Sequence, residues 1–293
     1  MVGAPVAPAA ARPARTIAFC ADDVGLVEGV AETVAALAAD GRLSSASCIT
    51  TTAAWAAEGH ALSATLDPAT RFELGLHFNL SEGQPLSPDL ARLWPTLPAL
   101  PRLIALAHVG RLPRAALASE LRAQRDAFAA AVGRPPDFID GHQHVHHLPG
   151  VRDFVLGTFE TDRAATQATA IRNTGHVVGP GHAVKRMLIE RTGGRALQRL
   201  LEAKRVRHNA ALLGVYDFRD ADYRRLVRGW LAAAPNRGGL VFCHPNHGPA
   251  SGDDAIAEAR RREAAYLAST SFTDDLAEAG FSVAAAWQSS SAG

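Results

Sequence analysis

The sequence has few cysteines, no long apolar run and almost no net charge, and each shortage excludes a class of protein. Three cysteines among 293 residues, none with CxxC spacing, do not form a disulfide framework. No segment approaches the roughly 18 apolar residues that a membrane-spanning helix needs. The formal net charge of +1 gives no global field to attract nucleic acid or an anionic membrane. We expect a globular, cytoplasmic protein without a transmembrane segment or a nucleic-acid partner.

The first fifteen residues, MVGAPVAPAAARPAR, are rich in alanine and proline. The prolines interrupt any apolar region and no basic segment precedes it, so a disordered lead is favoured over a signal peptide. The chain as a whole is 47% hydrophobic, which is enough for a substantial core. We therefore predict a disordered lead over residues 1–15 and a single domain over residues 16–293.

Short β-rich runs alternate with helical patterns along the chain. Strands are predicted at residues 16–20, 45–51, 73–80, 138–142, 170–173, 239–243 and 281–285. This alternation predicts βαβ units and a mostly parallel sheet. An open doubly wound sheet would fit the same order. An α/β barrel is favoured because reactive groups follow several different strands, and barrel enzymes keep their chemistry at the C-terminal strand ends.

The connections between these strands are less regular. Residues 83–113 are predicted to be a Pro-rich connection, and residues 175–218 a Gly-rich loop with one or two basic helices. Both stretches are expected to roof the active-site cleft. A long helix is predicted from Ile256. The arginines at 260–262 are flanked by glutamates, which predicts a solvated helix face.

Two adjacent carboxylates, Asp22 and Asp23, close the first strand, and Gly25 permits a turn directly afterwards. Neighbouring side chains on a strand point to opposite faces, so both reach one site only if the chain bends there. Two close carboxylates repel each other unless a cation lies between them. A metal ion would resolve this by binding one aspartate and leaving the other as a base. A helix N-cap pair is the alternative.

Seven of the twelve histidines lie in three short segments, GLHFNL, DGHQHVHH and CHPNHG. In the first, His77 lies on the polar face of an apolar strand, as a metal ligand or as a hydrogen-bonded core residue. Asn79 shares that face, where it could bind substrate or orient a ligand.

The second segment places Asp140, His142, His144 and His146 on one face if the strand continues. Three imidazoles and a carboxylate are costly to bury without a metal or paired acids, and imidazole suits Zn²⁺. Histidines that are not ligands could orient those that are. A surface histidine cluster is the alternative.

Two further candidates stand at strand ends. His244 follows the strand at 239–243, where an imidazole suits a general acid, with a hydrogen bond to a loop carbonyl as the alternative. Arg172 ends the strand at 170–173. It would bind a sugar hydroxyl or an anionic group, or form a structural salt bridge.

Together these motifs resemble the YdjC-like carbohydrate deacetylase family, which includes chitooligosaccharide deacetylases and a hopanoid-biosynthesis-associated branch. The matching segments are FCADDVGL, SSASCITT, ELGLHFNLSEGQPL, RPPDFIDGHQHVHHLPGVR and LVFCHPNHG, in family order from about residue 16 to the C-terminal helix. The resemblance implies a distorted (β/α) barrel with about seven strands. This sequence departs from the family at Val24, Cys20 and the Asn246-His247 pair, but keeps every ligand position.

The resemblance also implies functional roles for individual residues. Asp23, His77 and His142 would bind one divalent metal ion, and Asp22 would be the general base. Zn²⁺ is favoured by this donor set, with Mg²⁺ as an alternative. The implied reaction is removal of an N-acetyl group from an amino sugar in an oligosaccharide or glycolipid.

His244 matches the family's His-Pro motif and would protonate the departing amine, with His144 or His146 as alternatives. Two other function classes remain open, a metal-dependent phosphoesterase and a non-catalytic protein that binds sugar or lipid. A phosphoesterase usually adds a second metal or a set of phosphate-binding cations, and apart from Arg172 the motifs contain no basic residue of that kind.

Overall fold

The computed structural model describes residues 15–161, 169–236, 238–248, 254–285 and 287. Its centre is a sheet in which every pairing is parallel. The strands of this sheet are β1 (Arg15–Val24), β2 (Ser45–Cys48), β3 (Glu73–Phe78), β4 (Phe138–Gly141), β5 (Ala170–Ile171), β6 (Leu212–Leu213), β7 (Leu240–Cys243) and β8 (Phe281–Val283).

The strands follow the order β5-β4-β3-β2-β1-β7-β6, and β8 pairs with the first residues of β1. Beyond β5 the chain reaches the other edge of the sheet. There the Val178 N–H donates to the Leu212 carbonyl at 3.0 Å, and the Leu212 N–H donates to the His176 carbonyl at 2.9 Å. These bonds link the segment that follows β5 to β6, at the other edge of the curled sheet. The predicted α/β fold, a distorted barrel with a parallel sheet, is confirmed.

The hydrophobic pattern predicts all of these strands except β6. β6 lies in the stretch 175–218, whose arrangement the pattern leaves open. The first strand begins at Arg15, whose N–H donates to the Gly280 carbonyl at 3.1 Å. Arg15 therefore belongs to the sheet and not to the predicted disordered lead. The rest of that lead, residues 1–14, lies outside the described residues.

Helices pack around the sheet, and no helix of the described residues is long and apolar enough to cross a membrane. They are α1 (Val30–Ala39), α2 (Trp55–Thr65), α3 (Pro88–Leu93), α4 (Leu100–His108), α5 (Arg114–Val132), α6 (Val151–Thr161), α7 (Ala183–Ile189), α8 (Arg195–Lys204), α9 (Tyr223–Ala233), α10 (Ala257–Ala268) and α11 (Thr270–Ala279). Short 3-10 turns occur at Pro68–Thr70 and His142–His147, and a π turn at Glu190–Gly194.

One predicted connection and one predicted helix differ from the structure. The stretch 83–113, expected to be a Pro-rich connection, contains α3 and α4, and each helix has a proline in its first turn, where no hydrogen bond is lost. Ser87 caps α3 by accepting a hydrogen bond from the Leu90 N–H at 3.2 Å. The long helix predicted from Ile256 is divided at Ser269 into α10 and α11.

The alternation in β3 separates the core from the site. Leu74, Leu76 and Phe78 belong to the main apolar cluster. The other face of the strand carries Gly75 and His77. Gly75 allows the ring of Phe138 on β4 to lie against the backbone of β3, because a Cβ at this position would overlap that ring.

Gly75→Ala should therefore destabilise the protein. Overpacking of this kind costs about 1–3 kcal/mol, measured as the change in the free energy of unfolding in urea. Gly157→Ala is the matched control, because a Cβ built at this position of α6 has no atom within 4 Å. The control should gain about 0.5–1 kcal/mol from helix propensity. Equal stability of Gly75→Ala and the native protein would contradict the close packing of β3 on Phe138.

Candidate active site

Three of the predicted site residues meet at the C-terminal ends of β1, β3 and β4. Asp23, His77 and His142 are buried, and each offers a ligand atom within 4.8 Å of the others. Asp23 Oδ1 lies 3.1 Å from His142 Nδ1 and 3.5 Å from His77 Nε2. One nitrogen of each imidazole thus faces the same oxygen of the Asp23 carboxylate.

A bend at the end of β1 brings the two adjacent aspartates to one site. The register between β1 and β2 shifts between Ala21 and Val24, and Asp23 has φ 68°, in the left-handed region. A non-glycine residue in this region is uncommon and signals a local constraint. Because of the bend, Asp22 and Asp23 both line the same cavity instead of pointing to opposite faces.

The surroundings of His77 fit a metal ligand. Its Nδ1 lies 2.7 Å from Asp140 Oδ1 and 3.0 Å from Ser47 Oγ, so Nε2 is directed toward Asp23. A metal-binding histidine usually has its second ring nitrogen bonded to a carboxylate in this way. One carboxylate and two imidazoles also match the donor set of catalytic zinc sites. The buried Asp/His triad could therefore bind a divalent metal ion.

A second acidic cluster lies nearby but is occupied by an arginine. Cys20, Asp22 and Asp140 also present ligand atoms within 4.8 Å of one another. The Arg172 guanidinium lies among them, with Nη2 2.6 Å from both Asp22 Oδ1 and Asp140 Oδ2, and 3.2 Å from Cys20 Sγ. A bound cation there would meet this fixed positive charge.

Arg172 is fully buried, and its guanidinium forms ion pairs with two carboxylates of the site. Nη1 donates to Asp22 Oδ2 at 2.7 Å while Nη2 donates to Asp22 Oδ1 at 2.6 Å, a bidentate pair. Of the two alternatives that the sequence left open, the structure contains the salt bridge and not an exposed contact for a sugar hydroxyl.

The chain after β4 does not continue as a strand. His142–His147 forms 3-10 turns, with Gln143 and His144 at φ 52° and 63°. The predicted sharing of one face by Asp140, His142, His144 and His146 therefore does not occur, since that prediction required an extended chain. Asp140 instead supports His77 from β4.

The two other histidines of this segment have separate surroundings. His144 lines the cavity, and burial lowers its pKa well below the ordinary value. His146 is fully buried, with Nε2 2.9 Å from the Arg172 carbonyl oxygen, and burial lowers its pKa to about 4. A neutral ring that is bonded inside the protein is poorly placed to donate a proton to a substrate.

Glu82 is a site residue that the sequence analysis does not single out, although it lies within the motif ELGLHFNLSEGQPL. Glu82 Oε2 lies 3.0 Å from His142 Nε2. Asn79 is buried and holds this loop, since its Oδ1 accepts from the N–H groups of Ser81 and Glu82 at 3.1 and 3.2 Å. Its Nδ2 donates to the Glu82 carbonyl at 2.7 Å and to Thr51 Oγ1 at 2.8 Å. Asn79 thus positions Glu82 within the protein.

His244 lines the same cavity and directly follows β7. Its ring packs edge-on against Phe218 and Phe242, with centroid separations of 5.2 and 5.6 Å. Its Nδ1 lies 3.9 Å from Oε1 of the buried Glu263. The His244 N–H also donates to Glu263, which holds the backbone at this point. Of the three histidines predicted as candidate acids, His244 and His144 line the cavity.

Arg260 corrects the prediction of a solvated arginine face. It is 2% exposed, and its Nη2 donates to Asp23 Oδ2 at 2.8 Å while Nε donates to Asp254 Oδ2 at 2.9 Å. Arg261, the next residue, is half-exposed and pairs with Glu258 at 3.1 Å. Three consecutive arginines on one helix point in different directions, and the sequence alone does not show which one turns inward.

Charge around Asp23 controls the protonation of the triad. Burial raises the pKa of Asp23, but the hydrogen bond and charge of His142, together with Arg260, hold it well below its usual value. Burial lowers the pKa of His142, yet its hydrogen bonds to Asp23 and Glu82 raise it to about 10. Without a metal ion, His142 is therefore protonated at neutral pH.

These residues open into a cavity of about 670 Å³. Side chains from both stretches expected to roof the cleft line it, Leu100 and Ile104 from α4 and Leu188 and Ile189 from α7. Two cationic side chains other than histidines line it within the described residues. These are Arg260 and Lys185, whose Nζ donates to the Tyr216 carbonyl at 2.7 Å.

Comparison with known proteins agrees with the resemblance in the sequence. The family model described as YdjC-like protein matches residues 16–278. A carbohydrate deacetylase from Homo sapiens is 34% identical over 156 residues, which are 48% of this chain and 44% of that protein. A chitooligosaccharide deacetylase from Proteus mirabilis is 41% identical over 80 residues, 25% of this chain and 28% of that protein. Each match thus spans less than half of the relative's length.

A solved structure shares the fold over nearly the whole chain. It is the crystal structure of an Enterococcus faecalis protein proposed to cleave cellobiose phosphate, with a TM-score of 0.69. The alignment covers 92% of this chain and 97% of that chain at 18% sequence identity. At this identity the likeness shows the fold alone.

The raised pKa of His142 predicts that metal uptake releases protons. A metal ion binds the neutral imidazole, so Zn²⁺ binding at pH 7 should displace about one proton from the triad, and affinity should rise about tenfold per pH unit below the pKa. Calorimetry of Zn²⁺ binding in buffers of different ionisation enthalpy measures this release. A binding enthalpy that is the same in all buffers would contradict a protonated His142.

Proposed function

The chain belongs to the YdjC-like protein family, and from this premise we propose that it is a metal-dependent carbohydrate N-deacetylase. It removes an acetyl group from an amino sugar in an oligosaccharide or glycolipid. The observation that carries the proposal is the convergence of Asp23, His77 and His142 in a cavity beside a second, separately held carboxylate, Asp22. Relatives that carry the name deacetylase support it over part of their length.

Asp23, His77 and His142 would hold the divalent ion, with Zn²⁺ favoured by the donor set and Mg²⁺ as the alternative. A bound ion supplies a Lewis acid that polarises the acetyl carbonyl and acidifies water. The protein's own contribution is to fix the donors. Asp140 and Ser47 hold the His77 ring through Nδ1, and Glu82 lies at Nε2 of His142.

Asp22 would accept the proton of the attacking water. The bidentate ion pair with Arg172 fixes the plane of its carboxylate. Oδ1 also accepts from Cys20 Sγ at 3.7 Å, whereas Oδ2 keeps a lone pair for a further hydrogen bond. A fixed carboxylate contributes to catalysis because the reacting groups need no further ordering. Asp22 lines the cavity next to Asp23, so the two carboxylates divide the roles of base and ligand.

His244 would protonate the departing amine nitrogen. It lines the cavity, whereas the ring of His146 is bonded to the Arg172 carbonyl. His144 also lines the cavity, but its lowered pKa keeps it neutral and makes it the weaker acid candidate. Phe218 and Phe242 fix the His244 ring from two sides.

A phosphoesterase would use basic side chains to bind the phosphate. Within the described residues, both non-histidine cations of the cavity are engaged with protein oxygen atoms, Lys185 with Tyr216 and Arg260 with Asp23 and Asp254. Arg172 is bound to carboxylates as well. This favours a neutral amide over a phosphate ester as the scissile group.

Acetate release separates these possibilities. Purified protein is incubated with N,N′-diacetylchitobiose or with an N-acetylglucosaminyl lipid, after chelation and after the return of Zn²⁺ or Mg²⁺. We expect acetate only with metal present, and no phosphate release from p-nitrophenyl phosphate. Acetate release that survives full chelation, or phosphate release without acetate release, would overturn the proposal.

The division of labour between the aspartates gives a further prediction. Asp22→Asn should bind the metal with native affinity and lose nearly all turnover, since an amide cannot accept the proton. Asp23→Asn should weaken the metal binding itself. Metal content by elemental analysis and kcat are measured side by side for the two variants. Identical behaviour of the two variants in both assays would show that the roles are not divided.

The proposed acid predicts a dependence on the leaving group. General acid–base catalysis contributes about 10²–10⁴-fold, so His244→Ala should lower kcat on the amide within that range while metal content stays native. The alcohol of an ester substrate leaves with less help from an acid, so kcat on an ester should fall by a smaller factor. If His244 only stabilises the end of β7, both substrates should lose activity equally and the melting temperature should fall. Equal losses would move the acid to His144.

A further inference from the structure

The two oxygens of Asp23 have different partners. Oδ1 faces the nitrogen atoms of His142 and His77 at 3.1 and 3.5 Å. Oδ2 accepts a hydrogen bond from Arg260 Nη2 at 2.8 Å. All the donors of the triad are therefore gathered on one side of the carboxylate, and a guanidinium occupies the other side.

The Arg260 side chain is itself held in place. It is 2% exposed, and its Nε donates to Asp254 Oδ2 at 2.9 Å, so the guanidinium is fixed between two carboxylates. Its backbone carbonyl accepts a hydrogen bond from the Asn246 N–H at 3.2 Å, in the loop that follows β7. An arginine on α10 thus reaches a carboxylate on β1 from the far end of the chain.

We propose that Arg260 is a positioning residue that restricts Asp23 to a single ligand oxygen. This inference rests on the metal site of the proposed function. A carboxylate can bind a metal ion through one oxygen or through both, and a second oxygen would occupy the position that a catalytic site keeps open for water or substrate. By binding Oδ2, the guanidinium leaves only Oδ1 for the ion and keeps the remaining position free.

The same arrangement explains why an arginine is found so close to a cation site. A positive charge beside a metal ion weakens binding of the ion by repulsion. Asp23 lies between the two and offers one oxygen to each. Arg260 therefore costs some metal affinity and, in the proposed role, maintains the open position on which turnover depends.

The test compares Arg260→Gln with Arg261→Gln, which changes the half-exposed arginine beside it on the same helix. The metal-free proteins are loaded with Co²⁺, whose visible absorption weakens as its coordination number rises above four. The Co²⁺ dissociation constant, the spectrum, the melting temperature of the metal-free protein, and kcat and KM for an N-acetylated sugar are then measured.

We expect Arg260→Gln to give a weaker Co²⁺ spectrum and a kcat lower by about 10–100-fold, the usual effect of losing a residue that orients a ligand. Co²⁺ affinity should be unchanged or tighter. Arg260→Lys, which can still donate to Oδ2, should restore the native spectrum and most of kcat. Arg261→Gln should match the native protein in every measurement.

A native Co²⁺ spectrum and a native kcat in Arg260→Gln would overturn the proposal. So would a lower melting temperature with an unchanged spectrum, which indicates a purely structural ion pair. If Arg260→Gln does not fold, Asp254→Asn is tested in its place, because this change releases the Arg260 guanidinium from its second carboxylate. A native Co²⁺ spectrum of Asp254→Asn would overturn the proposal. The spectrum is read without substrate, so a native protein that binds Co²⁺ but releases no acetate would contradict the deacetylase function and not the role of Arg260.

Discussion

The Arg172 guanidinium lies fully buried between the carboxylates of Asp22 and Asp140, and most of the site depends on this contact. It joins the chain after β5 to residues of β1 and β4. Asp140 in turn bonds His77 Nδ1 and so sets the ring of a candidate ligand on β3. One cation thereby orients the candidate base and, through Asp140, a candidate ligand.

Because this contact is buried, the loss of any one of its partners is costly. Two carboxylates and a guanidinium are costly to desolvate, and removing one partner of a buried pair costs about 3–5 kcal/mol because the other charge is left uncompensated. Cys20 and Ser47 border this group of charges, with Arg172 Nη2 3.2 Å from Cys20 Sγ. The cavity approaches Asp22 from the other side, so substrate would meet an oriented base without contacting the cation that orients it.

The sequence predicts most of the sheet because each long strand carries its own signal. The alternation of Leu74, Leu76 and Phe78 identifies β3 and places His77 on the opposite face, and the structure has both. The bend at Asp23 follows from the requirement that two adjacent carboxylates reach one site. Where the local signal fails, as in the two-residue β6, only pairing with β7 identifies a strand.

Other parts of the site depend on contacts between residues distant in sequence. Nothing near Arg260 indicates that it reaches Asp23, 237 residues away, while Arg261 remains half-exposed. Alternation likewise fails after Gly141, because left-handed Gln143 and His144 redirect the chain into 3-10 turns. The role of Glu82 becomes visible only when the loop after β3 is folded by Asn79 and brings it to His142.

We propose that Asp23, His77 and His142 form the metal site and that the charged cluster around Arg172 does not. A crystal of the Zn²⁺-loaded protein, measured on both sides of the zinc absorption edge, tests it most directly. We expect one anomalous peak at about 2.0–2.2 Å from one oxygen of Asp23 and from a nitrogen of each of the two histidines. A peak bound by Cys20, Asp22 and Asp140, or the absence of a peak at the triad, would contradict it.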